Sequence, residues 1–290
     1  MAKFIALTAS AISAGAITAI AATGLMVLYK ATGVINFAHG DLITLGAYLA
    51  IWGTSDLDLP VIPAYVLAVV LMFGVGVAME RVAFFPLRGR SPLVVLIATL
   101  GFGLMIRAVI SIWRGGDPVF LPSLFGNRVW RVAGASVAYQ RIVIAGVALV
   151  VLAAMILMFG KTQLGRQVRA LATDREMAQL AGARVVRISL VTFGLSAALA
   201  AVAGVLAGPL GGVDLNLGFG LMFAAFAAAI VGGFGSLHGV IVGGLILGIA
   251  EYLVGGYLFP NYASTFPFIV MIVVIAVKPE GLFGRTNARL

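Results

Sequence analysis

The chain contains no cysteine and carries little charge of either sign. The absence of cysteine excludes disulfides, thiolate nucleophiles and cysteine metal sites, and two histidines, His39 and His238, are too few for a structural zinc site. Only 10% of the 290 residues are charged, against roughly 25% in an ordinary globular protein, and 62% are hydrophobic. This balance excludes a soluble fold and indicates a polytopic membrane protein.

Long stretches without charge separate short polar segments. Several of them exceed the roughly 20 residues that a helix needs to cross a bilayer. They are apolar on every face, so they lack the alternation of apolar and polar residues that membrane β-barrel strands show. Transmembrane α-helices are therefore the remaining way for these runs to cross the bilayer. The nine apolar runs are Phe4–Tyr29, Gly33–Trp52, Leu59–Met79, Ser91–Trp113, Ile142–Gly160, Ile188–Gly208, Leu217–Phe234, Gly239–Tyr257 and Thr265–Val277. We predict an all-α, polytopic helical membrane protein with eight or nine transmembrane segments.

Positive charge is concentrated in a few places, which predicts the orientation of the chain. Thirteen of the nineteen Lys and Arg residues lie in 80–90, 160–187 and 278–290 and at Lys30. Segment 114–141 and Lys3 hold five more. By the positive-inside rule the first group is cytoplasmic and the second is external, so the N-terminus lies outside and the C-terminus inside. Nine crossings satisfy this, and the net charge of +9 reflects topology instead of nucleic-acid binding.

Two regions leave the number of passes open. An eight-pass arrangement turns Leu217–Gly239 into a re-entrant hairpin that bends at the glycines within 232–235. The run Phe4–Tyr29 could instead belong to a signal peptide, although it is longer than the usual 7–15-residue core. No linker divides the chain, so we predict one membrane domain over 1–290, with a short hairpin-like cap in 114–141.

Four charged residues remain after the polar segments and termini are set aside: Asp41, Arg107, Asp214 and Glu251. A charge at the centre of a membrane costs roughly 2.5–3.5 kcal/mol on insertion scales, so it tends to face a partner group or a transport path. Arg107 is close enough to Trp113 for its guanidinium to reach outward. We expect Asp214 to be solvated in an external turn. Glu251 either pairs with a polar group or lines the pathway.

The densest polar cluster in an apolar run is Asn36–Asp41. It favours a broken helix start, with Asn36 or His39 satisfying free backbone groups and Asp41 near the positive end of the helix. The alternative is that these residues and Tyr48 line a translocation pathway. A second His-Gly pair begins at His238, and two broken segments in corresponding halves are typical of an inverted-repeat transporter.

The polar segment 160–187 is long and amphipathic. Thr173 or Asp174 can cap a helix and Gly182 can end it, which predicts about two helical turns parallel to the membrane. One interpretation is a solvated loop whose arginines contact the membrane surface. The other is a docking helix, in which small residues such as Ala178 form a compact knob beside Met177 and Leu180 and fit a cleft of a cytosolic partner.

Three sequence motifs occur one after another along the chain. They are Gly33-Val34-Ile35-Asn36-Phe37-Ala38-His39-Gly40-Asp41 with Gly46-Ala47-Tyr48, then Ala172-Thr173-Asp174 through Ala178, Leu180 and Gly182, and finally Gly232-Gly233-Phe234-Gly235-Ser236. Together they resemble the permeases of high-affinity branched-chain amino acid ABC importers, specifically the shorter, H-type subunit. The resemblance implies a bacterial inner-membrane importer with a homologous M-type permease, two cytosolic ATP-binding subunits and a periplasmic substrate-binding protein.

The resemblance also implies roles for particular residues. The segment Asp174–Gly182 matches a coupling helix that docks on an ATPase, and Asn36–Tyr48 matches a membrane segment near the translocation interface. The residues assigned to the coupling helix are Asp174, Arg175, Glu176, Met177, Ala178, Leu180 and Gly182. We expect no catalytic site, metal or cofactor in this chain, because the partner subunits would use ATP and Mg.

The motifs leave the substrate open. Related permeases carry urea, other amino acids or aromatic acids. The resemblance to the H-type subunit implies a branched-chain amino acid as the expected substrate. A competing class is a secondary transporter coupled to an ion through Asp41 or Glu251. Such a transporter would work without an ATPase, which separates the two classes experimentally.

Overall fold

A computed structural model describes residues 1–126, 128–132, 134–257 and 265–284. Within these ranges the chain forms eleven α-helices and one β-hairpin. The helices are α1 (Ala2–Thr32), α2 (His39–Ser55), α3 (Val61–Met79), α4 (Pro92–Arg114), α5 (Tyr139–Lys161), α6 (Gln163–Thr173), α7 (Arg175–Leu180), α8 (Val185–Gly211), α9 (Leu217–Gly232), α10 (Leu237–Tyr257) and α11 (Phe266–Val277). The strands are β1 (Val129–Val132) and β2 (Ala135–Ala138), which pair antiparallel.

Each of the nine apolar runs corresponds to a helix, which confirms the all-α prediction. Six helices are long and apolar enough to cross a membrane, namely α1, α3, α4, α5, α8 and α10. Helices α9 and α11 are also apolar, but they are shorter than these six. The hairpin of β1 and β2 confirms the predicted cap within 114–141. Residues 285–290 of the predicted cytoplasmic tail lie outside the described part of the chain.

The chain divides into two compact units. The terminal unit comprises Met1–Met26, Ser123–Ala153 and Phe223–Leu290. The central unit comprises Val27–Pro122 and Ala154–Met222. Helices α1, α5 and α9 each contribute residues to both units.

In the terminal unit, α1 and α10 touch backbone to backbone. A Cβ atom at Gly15 would lie 3.0 Å from the Cα of Leu245, and one at Gly248 would lie 2.3 Å from the Cα of Gly15. Farther along, a Cβ at Gly244 would lie 2.7 Å from the Cα of Ala19. Small residues therefore allow the close helix crossing that glycine patterns predict in membrane proteins.

The turn between α9 and α10 is also part of the terminal unit. It contains Gly233, whose φ of +92° is accessible to glycine at little cost. The backbone N–H of Leu282 donates to the carbonyl of Val231 at 2.8 Å, and that of Phe283 donates to the carbonyl of Gly232 at 3.2 Å. The chain turns at these glycines, as either number of passes requires, and the segment after α11 satisfies carbonyls at the end of α9.

In the central unit, α2 and α3 both pack on α8, which is buried along most of its length. A Cβ atom at Gly204 would lie 2.2 Å from the carbonyl oxygen of Ile43, and one at Gly46 would lie 2.5 Å from the Cα of Ala201. Because each of the two helices has a glycine at the crossing, the backbones of α2 and α8 come into contact. This packing fixes the part of α2 that carries the polar cluster.

The segment 80–90 differs from the cytoplasmic loop that the sequence predicts. The helix α3 continues directly into a π-helical turn at Glu80–Phe84 and a 3-10 turn at Phe85–Leu87. Glu80 is completely buried and forms an ion pair with Arg88. Treating Glu80 as a loop charge was wrong. No turn residue ends α3 at Met79, so the helical backbone continues through Glu80.

Candidate functional site

The chain is non-helical between α1 and α2, where the sequence predicts a broken helix. Gly33 has a φ of +74°, and α2 begins at His39. The Oδ1 atom of Asn36 accepts a hydrogen bond from the backbone N–H of Ala38 at 3.1 Å, and the N–H of Phe37 donates to Thr99 at 3.3 Å. Side chains thus satisfy backbone N–H groups just before α2, whereas no side chain caps the first turn of the helix itself.

Three residues assigned to the helix break or the pathway are enclosed by protein. Asn36, His39 and Tyr48 are all buried in the central unit. The Nδ1 atom of His39 lies 3.5 Å from the hydroxyl of Ser196 on α8. In this conformation these side chains contact neighbouring helices, so contact with a solute would require the unit to open.

Asp41, in the first turn of α2, forms an ion pair with Arg107 of α4. The Nε and Nη2 atoms of Arg107 both donate to Oδ1 of Asp41, at 3.1 Å and 3.0 Å. Of the two alternatives for Arg107, a partner group and the membrane surface, the structure shows the partner group. A helical side chain tilts towards the N-terminus of its own helix, which here directs the guanidinium back along α4 to the carboxylate.

Two further residues shape this ion pair. Gly103 of α4 faces the carboxylate, and a Cβ atom there would lie 2.4 Å from Oδ2 of Asp41. The guanidinium of Arg107 lies 5.8 Å from the ring centroid of Phe219 on α9, within reach of a cation–π interaction. The pair is therefore held by α2 and α4, with an aromatic ring of α9 beside it.

The start of α9 is fixed against the first turns of α2. The N–H of Gly218 donates to the hydroxyl of Thr44 at 3.0 Å. A Cβ atom at Gly218 would lie 1.8 Å from the carbonyl oxygen of Gly40. This contact sets the position of the neighbouring Phe219 relative to Asp41.

The other charged or histidine candidates lie elsewhere. Asp214 lies in the turn between α8 and α9, where it accepts a hydrogen bond from the N–H of Asn216 at 3.0 Å. Glu251 is half-buried in α10 of the terminal unit and forms no ion pair within the described residues. His238 is exposed near the start of α10, unlike the buried His39. Over the same described ranges, no cluster of three His, Asp or Glu residues suits a metal ion.

The segment 160–187 folds into two short helices before α8. The hydroxyl of Thr162 accepts from the N–H of Gly165 at 3.2 Å and caps α6. Asp174 caps α7, since its Oδ1 accepts from the N–H groups of Glu176 and Met177 at 2.9 Å and 3.0 Å. Gly182, with a φ of +87°, follows the end of α7. The predicted two-turn helix is present and its cap is Asp174.

The exposed surface of α7 is apolar at two positions. The exposed fractions of Met177 and Leu180 are 62% and 78%, whereas Ala178 is buried. The expectation that Ala178 belongs to the exposed knob was therefore wrong, because its side chain packs against the rest of the chain. Met177 and Leu180 are left as the apolar groups that a partner can contact.

Sequence reasoning missed several residues that the structure brings to these sites. Glu80 and Arg88 pair within the turns after α3, and Gly103 and Phe219 surround the Asp41 ion pair. Glu80 carried a usable signal, since it follows an apolar run without any helix-breaking residue. Gly103 and Phe219 carried none, because glycine and phenylalanine are common throughout this apolar chain.

Comparisons with known proteins agree with the motif resemblance. The family described as "Branched-chain amino acid transport system / permease component" matches residues 7–275. The permease protein LivH of the high-affinity branched-chain amino acid transport system of Escherichia coli K12 is 37% identical, over 94% of this chain and 93% of its own. The corresponding protein BraD of Pseudomonas aeruginosa is 33% identical, over 94% of each chain.

A solved structure of PsaBC from Streptococcus pneumoniae in complex with Fab is similar at 16% identity and a TM-score of 0.49, covering 92% of this chain and 89% of that one. The family match spans most of the chain, and the relatives cover nearly its full length. The chain is a multi-pass membrane permease and belongs to the family of branched-chain amino acid transport system permease components.

Proposed function

We propose that this chain is the H-type permease subunit of an ATP-driven, binding-protein-dependent importer of branched-chain amino acids in the bacterial inner membrane. The observation that carries the proposal is α7, a capped helix with exposed Met177 and Leu180 on a chain of this permease family. A short helix with two apolar side chains in solvent is suited to docking in a cleft of a cytosolic protein.

The central unit offers a route for transmitting motion from α7. Only a few residues separate the end of α7 at Leu180 from the start of α8 at Val185. Helix α8 in turn touches α2 at backbone distance through Gly204 and Ile43. When ATP binding closes the ATPase dimer, displacement of α7 is carried by α8 to α2, and the permease pair changes from inward-open to outward-open.

The remaining assignments complete the proposal. The chain crosses the membrane nine times, or eight times with a re-entrant hairpin, with a periplasmic N-terminus, a cytoplasmic C-terminus and an inverted repeat. It forms one permease domain over 1–290, with 114–141 in the periplasm and 160–187 in the cytoplasm. Its partners are an M-type permease, two ATP-binding subunits and a periplasmic binding protein. The chain itself is not catalytic, and the ATPases use ATP and Mg.

Uptake by the assembled transporter tests this function. We expect an ATPase and a second permease to co-purify with a tagged copy of this chain. In proteoliposomes, leucine uptake with the binding protein outside should rise at least roughly tenfold when ATP is enclosed, and it should survive an ionophore that dissipates ion gradients. Urea or an aromatic acid carried in place of leucine would identify another substrate, and ionophore-sensitive uptake without ATP would support ion coupling through Asp41 or Glu251.

Polar replacement of the exposed α7 side chains tests the docking role. The double variant Met177→Asp/Leu180→Asp should lower ATP-driven leucine uptake at least tenfold, because these two side chains would be the hot spots of the docked helix, and loss of a hot spot costs about 2 kcal/mol or more. Both side chains are exposed, so folding of the permease should be retained. The matched control is Met177→Leu/Leu180→Met, which preserves volume and apolar character. Normal uptake and ATPase binding by the aspartate variant would exclude α7 as the docking helix.

A further inference from the structure

We propose that the Asp41–Arg107 ion pair recognises the transported amino acid, with Arg107 binding the α-carboxylate and Asp41 binding the α-ammonium group. The proposal rests on the function proposed above and assigns the charged contacts of the substrate to residues of this chain. The geometry of the pair, its depth along α4, its partial exposure and its aromatic neighbour carry the argument.

The ion pair lies midway along a helix that is long enough to cross the membrane. Gly103, which contacts the carboxylate of Asp41, is the central residue of α4, and about 16 Å of helix extends on either side of it. Charged residues at such depth are costly, and they face the interior of a bundle or a water-filled cavity. A pair of opposite charges at mid-depth is therefore a candidate for a solute contact.

The pair is not sealed within the protein. Side-chain exposure is 29% for Arg107 and 14% for Asp41, against 20% and 0% for Arg88 and Glu80. The third ion pair of the same unit, Arg114–Asp56 at the ends of α4 and α2, is exposed by 19% and 44%. Complete burial of an ion pair is compensated only when further hydrogen bonds satisfy its remaining donors and acceptors, and Asp41 and Arg107 are not completely buried. The partial exposure of Asp41 and Arg107 leaves both charges within reach of a solute.

The guanidinium has a donor edge that Asp41 does not occupy. Nε and Nη2 of Arg107 converge on one oxygen of Asp41, and Nη1 makes no hydrogen bond to the described residues. Because a guanidinium is planar and carries five N–H donors, its Nη1–Nη2 edge can bind a second carboxylate. Arg107 can therefore hold the substrate carboxylate while it remains in contact with Asp41.

Charge balance selects for a zwitterion. The ion pair has no net charge, and an amino acid zwitterion adds none, so both ammonium and carboxylate find an opposite charge at the site. A carboxylate without an amino group would leave the site with a net negative charge, and a neutral amide such as urea matches neither charge. The partly exposed ring of Phe219 beside the guanidinium supplies apolar surface for an aliphatic side chain.

Thiol labelling tests the site directly, because the chain has no native cysteine. In the assembled transporter, Phe219→Cys is the sole thiol of this chain, and its reaction with sulfonatoethyl methanethiosulfonate can be measured on the separated chain. We expect saturating leucine to slow labelling at least fivefold, and 4-methylpentanoate, which lacks the amino group, to have little effect. The control is Phe120→Cys, whose side chain is 80% exposed in the segment after α4 and whose labelling leucine should not change. Equal labelling rates at position 219 with and without leucine overturn the proposal.

Kinetics of Arg107 variants provide a second readout that does not depend on Phe219. Arg107→Gln should raise the half-saturating concentration of loaded binding protein or lower leucine uptake at least tenfold. Arg107→Lys keeps the positive charge and should retain a larger fraction of the leucine uptake of the unmodified transporter. Basal ATPase activity and gel filtration of the complex report assembly. An assembled Arg107→Gln transporter with unchanged uptake contradicts the inference. Failure of the proposed function is distinguishable, since the unmodified complex would then lack ATP-driven leucine uptake.

Discussion

Gly204→Ala is expected to destabilise the permease by about 3 kcal/mol or more, at the upper end of overpacking effects. The added methyl group would lie 2.2 Å from the carbonyl oxygen of Ile43, which is backbone of α2 and cannot rotate away. The clash can be relieved only if α8 separates from α2. On the other side of the crossing, Gly46 of α2 lies similarly close to Ala201 of α8. The midpoint of thermal unfolding in detergent and the yield of monodisperse protein should both fall.

Gly101→Ala is the matched control for this substitution. Gly101 lies within α4, and a Cβ atom there meets no atom within 4 Å. Alanine stabilises a helix interior by roughly 0.5–1 kcal/mol relative to glycine, so the control should be neutral or slightly stabilising. If both variants unfold at the temperature of the unmodified chain, the backbone contact between α2 and α8 does not exist as described.

Arg88→Ala should destabilise the central unit by about 3–5 kcal/mol, because it leaves a buried carboxylate without its counter-charge. Glu80 is completely buried, and one of its oxygens already has no hydrogen-bond partner within the described chain. The expected result is a large loss of thermal stability in detergent, with a matching loss of folded protein in the membrane.

The double variant Glu80→Leu/Arg88→Leu separates loss of the ion pair from loss of packing. Replacing a buried pair by apolar residues of similar volume is often neutral, so the double variant should recover most of the stability that Arg88→Ala loses. A double variant that is no better than Arg88→Ala would indicate that packing of the arginine stem, including its contact with Phe85, dominates. That outcome would contradict the electrostatic explanation.

The helices were predictable because their signals are local. Long apolar runs specify membrane helices without any knowledge of their neighbours, and all nine runs became helices. The short helix α7 was predictable for a similar reason. Asp174 and Gly182 supply a cap and a stop within one short stretch of sequence, and both act on backbone groups a few residues away.

The candidate site was less predictable because its contacts join distant parts of the chain. Asp41 and Arg107 are 66 residues apart, and nothing local indicates that one helix directs its arginine at the first turn of another. The same holds for Gly103, whose role is the absence of a side chain opposite a carboxylate. Burial of Ala178 was missed because a pattern of small residues does not reveal which face of a two-turn helix packs inward.

The contact between α1 and α10 has a consequence for how the protein is made. Gly15 meets Leu245, so α1 leaves the ribosome some 230 residues before this neighbour is synthesised. Until then the glycine-lined face of α1 must be covered by lipid, by the insertion machinery or by another helix. Contacts this distant in sequence slow folding, because the intervening chain must be ordered before they form. Completion of the terminal unit is thus a late, post-insertion step of biogenesis, at which truncated chains would be exposed to membrane quality control.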